Sequence, residues 1–323
     1  MKTLRRLVDR IRGEGLDGPA SLTNALPVVQ TSEVTIPAAP NDVLNEELKA
    51  WADEPGVLLG PVDGVWWRYG DLDGTLNLAR EGKGLVGLQF HGGGYAIGSA
   101  KDVLSGGSRI PRGFIEQGIC SCVLSLEYSL VSLNDDGPVH PFPTQLLEAL
   151  SAYYHLAHEL NIPPKRVILI GDSAGGHLAL ALERYLLESN VLPSAGGLIL
   201  LSPWCDLSVE GHVPHVNRLL GSRPAEMLST PYFSPALHTS LPLWPPTLVY
   251  YGKTERFVKS ITALVSQFGR SAGVSVTSYA ADEIPERFSH DFLIFVSVGR
   301  AWPKEVRKCW ERIKAWTKSL EAA

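Results

Sequence analysis

The sequence predicts an α/β fold in which helices cover both faces of a mostly parallel sheet. Short apolar runs alternate with segments of helical periodicity through most of the 323 residues. Such runs are typical of parallel strands that are buried on both faces. Glycine-rich or polar clusters follow several of these runs directly, and sheets of this class carry their functional groups at the carboxyl ends of the strands. We therefore expect a single large domain with its site at that edge of the sheet.

The predicted elements begin after a first segment of about 50 residues that glycines and prolines interrupt. The predicted strands are 65–69, 85–90, 120–126, 166–170, 197–201, 247–251 and 274–279. Helical periodicity marks 145–160, 176–188, 257–268 and 304–320. Residues 205–243 break this alternation, are rich in Pro, His and Ser, and are too long for an ordinary connection. They predict an excursion over the edge of the sheet.

Charge and hydropathy limit the partners that we expect for the chain. The net charge is -5, and lysine and arginine form no dense patch of the kind that binds nucleic acids. No apolar run is long enough to span a bilayer, and residues 1–17 lack the continuous apolar core of a secretory signal. Leu4, Leu7, Val8 and Ile11 fall on one helical face, which favours packing on the protein itself, with an anionic membrane surface as the alternative. We expect a cytoplasmic protein without stable membrane contact.

The four cysteines predict no metal site and require no oxidising compartment. Cys120 and Cys122 alternate along a predicted strand and so share one face of it, a spacing that does not suit a pair of zinc ligands. Cys205 and Cys309 stand apart in the sequence. We interpret all four as small buried apolar residues.

A tight turn between a predicted strand and a predicted helix contains the candidate nucleophile. Residues 171–175 read Gly-Asp-Ser-Ala-Gly, which matches Gly-x-Ser-x-Gly in the strand–turn–helix setting that a nucleophile elbow requires. Glycines flank the turn because side chains there would collide, and the turn raises the Ser173 hydroxyl above the sheet. The helix N-terminus and the Ala174 N–H then face a developing oxyanion. The alternatives are a serine that only caps the helix and a phosphate-binding loop, which would need a Gly-Lys-Ser/Thr ending that this turn lacks.

A second glycine-rich turn predicts the other half of an oxyanion hole. Residues 91–94 read His-Gly-Gly-Gly and follow the predicted strand 85–90. Adjacent glycines lose much backbone entropy on ordering, which a chain tolerates where its backbone must approach something closely. The N–H groups of Gly93 and Gly94 are candidate oxyanion donors together with Ala174. His91 is expected to hold the loop by hydrogen bonding, and a glycine turn without a ligand is the alternative.

These motifs together resemble the hormone-sensitive-lipase-like esterases of the α/β-hydrolase superfamily. The distance from His91 of His-Gly-Gly-Gly to Ser173 of Gly-Asp-Ser-Ala-Gly-Gly is 82 positions. The resemblance also takes in Glu-Tyr-Ser-Leu at 127–130, His-Pro-Phe-Pro at 140–143, and Leu-Ser-Pro-Trp with Asp206 from residue 201 onward. Each motif alone is weak, whereas the set in this order is specific.

The resemblance covers about residues 60–300 and implies an α/β-hydrolase fold with a helical cap over the site. The cap would be formed by about residues 1–50 together with about 205–243. The flanking residues Tyr95, Trp204 and Phe292 border the motifs and are candidate substrate contacts, with simple packing as the alternative for each.

The candidate base is His290. In this fold the triad follows the chain order Ser, acid, His, so the catalytic base is expected among the histidines that follow Ser173. His177 lies on the helix that follows the elbow, whereas His290 stands after the last predicted strand in Ser-His-Asp-Phe, which resembles the family's histidine site. The remaining histidines fall in the predicted lid: His212, His215 and His238.

The candidate acid is Glu255, which follows the predicted strand 247–251. The resemblance implies an aspartate at this position, and glutamate is one methylene longer but still able to orient an imidazole. Its alternative role is to stabilise the N-terminus of the helix that it opens. Rival acids are Asp282, Glu283 and Asp291.

The predicted function is carboxylic ester hydrolysis through a Ser-His-Glu triad and a covalent acyl-enzyme. The expected partner is a small-molecule ester of small to medium acyl length, and the mechanism needs no metal or organic cofactor. Two alternatives stay open. An alcohol or amine in place of water would make the protein an acyltransferase or cyclase, and a fold that has lost its chemistry would be a ligand-binding protein.

Overall fold

A computed structural model describes residues 28–132, 139–211, 213–286, 289–295 and 303–321. Its centre is one eight-stranded sheet. The strands are β1 (Gln30–Ile36), β2 (Val62–Arg68), β3 (Val86–Phe90), β4 (Cys122–Glu127), β5 (Val167–Asp172), β6 (Gly197–Leu201), β7 (Thr247–Gly252) and β8 (Val276–Ala281).

Helices connect most of these strands. The α-helices are α1 (Glu46–Ala52), α2 (Leu72–Arg80), α3 (Arg109–Glu116), α4 (Thr144–Tyr154), α5 (Ala174–Ser189), α6 (Pro214–Leu220), α7 (Val258–Arg270) and α8 (Pro303–Glu321). A π-helical turn, His155–Glu159, extends α4. Short 3₁₀ turns lie at Asn41–Val43, Pro164–Arg166, Ser208–Glu210, Ala225–Ser229, Pro235–Leu237 and Phe292–Phe295.

The strand order determines which loops meet at the edge of the sheet. The order is β1-β2-β4-β3-β5-β6-β7-β8. Strands β3 to β8 run parallel to one another. Strand β2 pairs antiparallel with β4, and β1 pairs antiparallel with β2. Strands β3 and β5 are direct neighbours, with Phe90 opposite Gly171. The glycine-rich turns that follow these two strands therefore emerge side by side.

Both faces of the central strands are buried, as the apolar runs predict. Along β5, Leu169 points into the larger apolar cluster, which includes Leu178 of α5. Ile168 and Ile170 point to the opposite face, where Ile313 of α8 belongs to the cluster. The alternation of a strand delivers side chains to each face in turn, so this arrangement confirms the predicted α/β fold with helices on both sides of a mostly parallel sheet.

The N-terminal segment differs from its predicted place in a cap. Gln30–Ile36 pairs with Val62–Arg68 as an edge strand of the sheet, and Leu48 of α1 belongs to the larger core cluster. Residues 1–27 lie outside the described residues. They include the amphipathic stripe and residues 1–17, which lack the apolar core of a secretory signal. The residues from Gln30 onward thus extend the sheet and its core.

No helix in the described ranges is long and apolar enough to cross a membrane. All four cysteines are buried and none forms a disulfide, in agreement with their interpretation as small apolar residues. Burial raises the pKa of the Cys122 and Cys205 thiols to about 12.

Candidate active site

Ser173 occupies the turn between β5 and α5 in a strained backbone conformation, with φ 50° and ψ -115°. The left-handed region is costly for a residue with a side chain and persists only where the surroundings enforce it. Here the Ser173 N–H donates to the Leu201 carbonyl at 2.9 Å, and the Trp204 N–H donates to the Ser173 carbonyl at 2.9 Å. The turn is thus held on both sides by the chain at the end of β6.

The glycines around Ser173 are required by contact with backbone. A Cβ at Gly171 would overlap the carbonyl oxygen of Gly175, and a Cβ at Gly175 would overlap the carbonyl oxygen of Phe90 at the end of β3. Backbone atoms cannot move aside as a flexible side chain can. These glycines therefore allow the elbow to close against β3.

The turn after β3 places Gly93 and Gly94 in positive-φ conformations, 116° and 63°. These values favour glycine because it has no Cβ. A Cβ on Gly93 would overlap the Ile97 carbonyl, and a Cβ on Gly94 would lie 3.2 Å from Nε2 of His215. This loop lines the same cavity as Ser173.

His91 and Tyr128 hold this loop from beneath. The His91 Nδ1–H donates to the Gly92 carbonyl at 2.7 Å, and the Tyr128 hydroxyl donates to the His91 carbonyl at 2.5 Å. The two rings stack with centroids 4.3 Å apart. Burial lowers the pKa of His91, in keeping with a neutral imidazole in a structural role.

Asp172 ties the oxyanion loop to the elbow. Its Oδ2 accepts from the Gly92 N–H at 2.9 Å, and the Gln89 amide lies 3.5 Å from Oδ1. Burial raises the pKa of Asp172 to about 6, and the Gly92 N–H opposes that rise. The two glycine-rich turns are thus joined through a fully buried carboxyl group.

His290 lies between Ser173 and Glu255. Its Nε2 is 2.9 Å from the Ser173 Oγ, and its Nδ1 is 3.4 Å from Glu255 Oε1. The first contact is a normal hydrogen bond, and the second is long. Catalytic hydrogen bonds are often long in the absence of substrate. The structure thus brings together the three residues that the sequence predicts as a triad.

Glu255 is buried and held by two further groups. Its Oε2 accepts from the Ser202 hydroxyl at 2.5 Å and from the Gly252 N–H at 3.0 Å. Ser202 has φ 46° and belongs to the Leu-Ser-Pro-Trp motif, from which its contact with the acid could not be predicted. The rivals Asp282 and Glu283 instead form exposed ion pairs with lysines.

Asp291 contacts the opposite nitrogen of His290. Its Oδ2 lies 3.2 Å from Nε2, the nitrogen that also faces Ser173. Its backbone has φ 50°, and its N–H lies 3.3 Å from the Ser202 hydroxyl. Burial raises the pKa of Asp291 well above its usual range, and the charges of Asp172 and Glu255 raise it further.

The cavity above Ser173 has a volume of about 380 Å³. Trp204, one of the predicted substrate contacts, lines it, and its ring stacks near Phe257 with centroids 6.0 Å apart. The complete lining is Gly93, Gly94, Ala96, Ile97, Ser173, Trp204, Val213, His215, Arg256, Phe257, His290, Asp291 and Ile294. The apolar side chains are Ala96, Ile97, Trp204, Val213, Phe257 and Ile294; of the polar ones, His290 contacts Ser173, whereas Arg256 lies over the Phe257 ring and His215 beside Trp204.

Tyr95 and Phe292, the other two predicted substrate contacts, do not line this cavity, which corrects the prediction. Tyr95 has φ 62° and is fully buried, and its hydroxyl is 2.6 Å from Nδ1 of His177. Burial lowers the pKa of His177 to about 4, so its neutral Nδ1 accepts from Tyr95. Phe292 packs against the Tyr250 ring, with centroids 5.8 Å apart. Both side chains are core residues.

Sequence reasoning missed most of the cavity wall. Val213 and His215 belong to the predicted lid 205–243, which could have suggested them, and His212 lies outside the described residues. Ile97, Phe257 and Ile294 carry no sequence signal beyond their proximity to motifs. Within the described ranges, no group of three or more His, Cys, Asp or Glu side chains could hold a metal ion.

Comparison with known proteins identifies the family. A family model described as an α/β-hydrolase fold matches residues 87–290. An acetyl-hydrolase of Streptomyces hygroscopicus is 32% identical over 221 residues, which are 62% of this chain and 66% of that protein. A putative acetyl-hydrolase of Mycobacterium tuberculosis is 32% identical over 163 residues, which are 50% of this chain and 44% of that one. The chain thus spans less than two thirds of the length of these relatives.

Solved structures show the same fold. The esterase EstE5, soaked with p-nitrophenyl butyrate, aligns over 99% of both chains with a TM-score of 0.65 and 20% identity. A hormone-sensitive lipase from a metagenome library aligns over 80% of this chain and 82% of its own, with a TM-score of 0.62 and 23% identity. The resemblance to hormone-sensitive-lipase-like esterases is confirmed, and the chain belongs to the α/β-hydrolase fold family.

Proposed function

We propose that the protein is a serine hydrolase that cleaves small to medium carboxylic esters through a Ser173–His290–Glu255 triad. The observation that carries this proposal is the placement of one imidazole between a strained serine and a buried carboxylate, at 2.9 Å and 3.4 Å. Several relatives are named as esterases or acetyl-hydrolases, which supports the same activity.

The chemistry follows from this geometry. His290 Nε2 takes the Ser173 proton as the hydroxyl attacks the ester carbonyl, and Glu255 holds Nδ1–H so that Nε2 stays the acceptor. The N–H groups of Gly93, Gly94 and Ala174 receive the oxyanion. Ala174 begins α5, so its N–H belongs to the first turn, where donors have no intrahelical partner. Each such donor contributes about 10²–10³-fold in rate in comparable sites.

The alcohol leaves with a proton from His290, and water then cleaves the acyl-enzyme by the reverse steps. None of these steps calls for a metal or an organic cofactor. The cavity of about 380 Å³ and its largely apolar wall support a short acyl chain, because the volume that one ester can fill is limited.

We also propose that residues 205–243 form the cap over this site. Val213 and His215 come from this segment and line the cavity. His215 lies close to Gly94, and its ring is 6.0 Å from that of Trp204. A segment that contributes part of the cavity wall restricts both the size of the acyl group and the access of water.

The test replaces the nucleophile and the base separately. Ser173→Ala and His290→Ala should each lower kcat on p-nitrophenyl acetate by about 10⁴-fold or more while the thermal unfolding of the protein changes little. A fluorophosphonate should label wild-type protein on Ser173 and fail to label Ser173→Ala. Full activity of either variant, or labelling elsewhere, would contradict the triad.

The substrate range is tested with p-nitrophenyl esters of increasing acyl length. The value of kcat/KM should be highest for the acetate to butyrate range and fall for longer chains. A maximum at long acyl chains would contradict the short acyl pocket but leave the triad intact.

A further inference from the structure

A second cavity adjoins the one above Ser173. Its volume is about 420 Å³, and it shares Gly93, Ile97, Asp291 and Ile294 with the first. The two cavities therefore meet beside the oxyanion loop. The remaining lining of the second cavity is His91, Gly92, Gly98, Ser99, Asp102, Ser105, Gly107 and Asp172.

The two cavities differ in chemistry. Ala96, Trp204, Val213 and Phe257 give the first a largely apolar wall. The second is lined by three aspartates, Asp102, Asp172 and Asp291, and its described lining includes neither lysine nor arginine. One ester could thus place an apolar acyl group on one side of Ser173 and a group of different character on the other.

Two buried polar atoms at the second cavity lack a hydrogen-bond partner within the described part of the chain. They are Oδ1 of Asp291 and Nε2 of His91. Asp291 is 7% exposed and His91 is 6% exposed. Buried polar groups in native proteins are nearly always paired, so unpaired ones call for a ligand or water as partner.

The carboxyl groups at this cavity are costly to ionise even though His290 lies 3.2 Å from Asp291 Oδ2. Burial and the neighbouring charge of Asp172 both raise the pKa of Asp291, and burial raises that of Asp172. A cation close to both carboxylates would remove this cost, because an opposite charge favours the ionised form. An anionic group would add to the repulsion.

We propose that the second cavity binds the cationic alcohol portion of an ester, one that carries an ammonium group. The proposal rests on the proposed hydrolase function and names its leaving-group class. When the ester C–O bond breaks, the leaving oxygen takes the proton from His290 Nε2, and the amino alcohol departs. Asp291 Oδ2 lies 3.2 Å from that nitrogen. The first of the aspartates that line the second cavity thus lies at the point where the leaving group is released.

The test compares two acetates of the same shape: 2-(dimethylamino)ethyl acetate, whose protonated amine carries one N–H donor, and its uncharged isostere 3-methylbutyl acetate. The ratio of their kcat/KM values isolates the charge of the leaving group from the acyl step that both share. We expect wild-type protein to favour the cationic ester by about tenfold or more.

Three aspartate variants test which carboxylate causes the preference for the cationic ester. Asp291→Asn should reduce the ratio at least about fivefold, and asparagine tolerates the positive φ of this position. Asp102→Asn, at the exposed rim of the cavity and away from His290, should reduce it about twofold. Asp73→Asn removes the same charge from an exposed position on α2 and should leave the ratio unchanged.

The outcomes separate this inference from the proposed hydrolase function. The inference is overturned if wild-type protein prefers the neutral ester. It is also overturned if Asp73→Asn lowers the preference for the cationic ester as much as Asp291→Asn does. Should neither ester be cleaved, calorimetry with protonated 2-(dimethylamino)ethanol decides: binding that Asp291→Asn weakens supports the cation site, and absence of binding to wild type overturns it. Binding of the cation without cleavage of either ester would contradict only the hydrolase function.

Discussion

The nucleophile side of the site and its base side are held in different ways. On the nucleophile side, the Ser173 turn is bound by backbone hydrogen bonds of 2.9 Å to the end of β6, and glycines let it close against β3. On the base side, His290 lies on the loop after β8, is 3.4 Å from Glu255 and is also approached by Asp291. Backbone contacts thus fix the nucleophile, whereas side-chain contacts orient the base.

The difference has a consequence for substitutions. A side chain added at a glycine of the elbow meets backbone that cannot yield, so it should act on stability and activity together. A change on the base side alters one contact among several around the imidazole, so it should act on kcat with smaller effects on stability.

The largest expected effect is that of Gly175→Ala. Its new Cβ would overlap the Phe90 carbonyl, so we expect the free energy of unfolding to fall by about 3 kcal/mol or more and turnover to be lost. The matched control is Gly269→Ala in α7, where a Cβ meets nothing within 4 Å and alanine should gain about 1 kcal/mol over glycine. Urea unfolding and p-nitrophenyl acetate hydrolysis measure both. Equal stability of the two variants would refute the backbone argument.

The next effect distinguishes the two carboxylates around His290. Glu255→Gln should lower kcat on p-nitrophenyl acetate by about 10³-fold, because the acid that faces Nδ1 fixes the tautomer. Asp291→Asn should lower it by less than about tenfold, because Asp291 faces the nitrogen that must stay free for Ser173. The opposite ranking would make Asp291 the acid of the triad.

A smaller effect is expected for Ser202→Ala. This variant removes the 2.5 Å hydrogen bond to Glu255 and should lower kcat about tenfold with little change in KM, at a stability cost of about 1 kcal/mol. The control is Ser125→Ala, since the buried Ser125 hydroxyl has no partner among the described residues and its removal should cost almost nothing. An unchanged kcat for Ser202→Ala would show that Gly252 alone holds Glu255.

The smallest effect is expected for Tyr128→Phe, which removes the hydrogen bond beneath the oxyanion loop. We expect a loss of about 1 kcal/mol in stability and a fall in kcat of only a few-fold, because Asp172 still binds the Gly92 N–H. Tyr153→Phe removes a comparable 2.7 Å bond to the Pro193 carbonyl, which lies in the loop before β6 and far from Ser173. It should cost similar stability with unchanged kcat.

The sequence predicted the parts of the site that local motifs encode. Gly-x-Ser-x-Gly requires a particular turn, and that turn is set by a few adjacent residues, so Ser173 and its glycines could be read directly. His290 and Glu255 followed from chain order and from their positions after strands. These inferences need no knowledge of how distant segments pack.

The sequence did not reveal contacts that depend on packing between distant segments. Ser202 reaches Glu255 only because β6 and β7 are neighbours, and Tyr128 reaches the His91 carbonyl from beyond β4. Tyr95 was expected to face substrate because it adjoins a motif, yet its positive φ turns the ring toward His177. Adjacency in sequence does not fix the direction of a side chain.

The edge strand Gln30–Ile36 was missed for a related reason. Its burial alternates only between exposed and half-buried positions before Ile36, since an edge strand of an antiparallel pair covers little core. The apolar runs that revealed the central strands are absent there. Pairing with β2 decides its structure, and pairing partners are not visible in a single segment.

The buried cysteines have a practical consequence for labelling. A thiol whose pKa is near 12, as for Cys122 and Cys205, supplies almost no thiolate at neutral pH, and the thiolate is the form that maleimides alkylate. Because all four cysteines are also buried, the native chain should stay unmodified by such dyes while it is folded. One cysteine introduced on the exposed face of α6, above the site, would then carry a fluorophore at a single defined position.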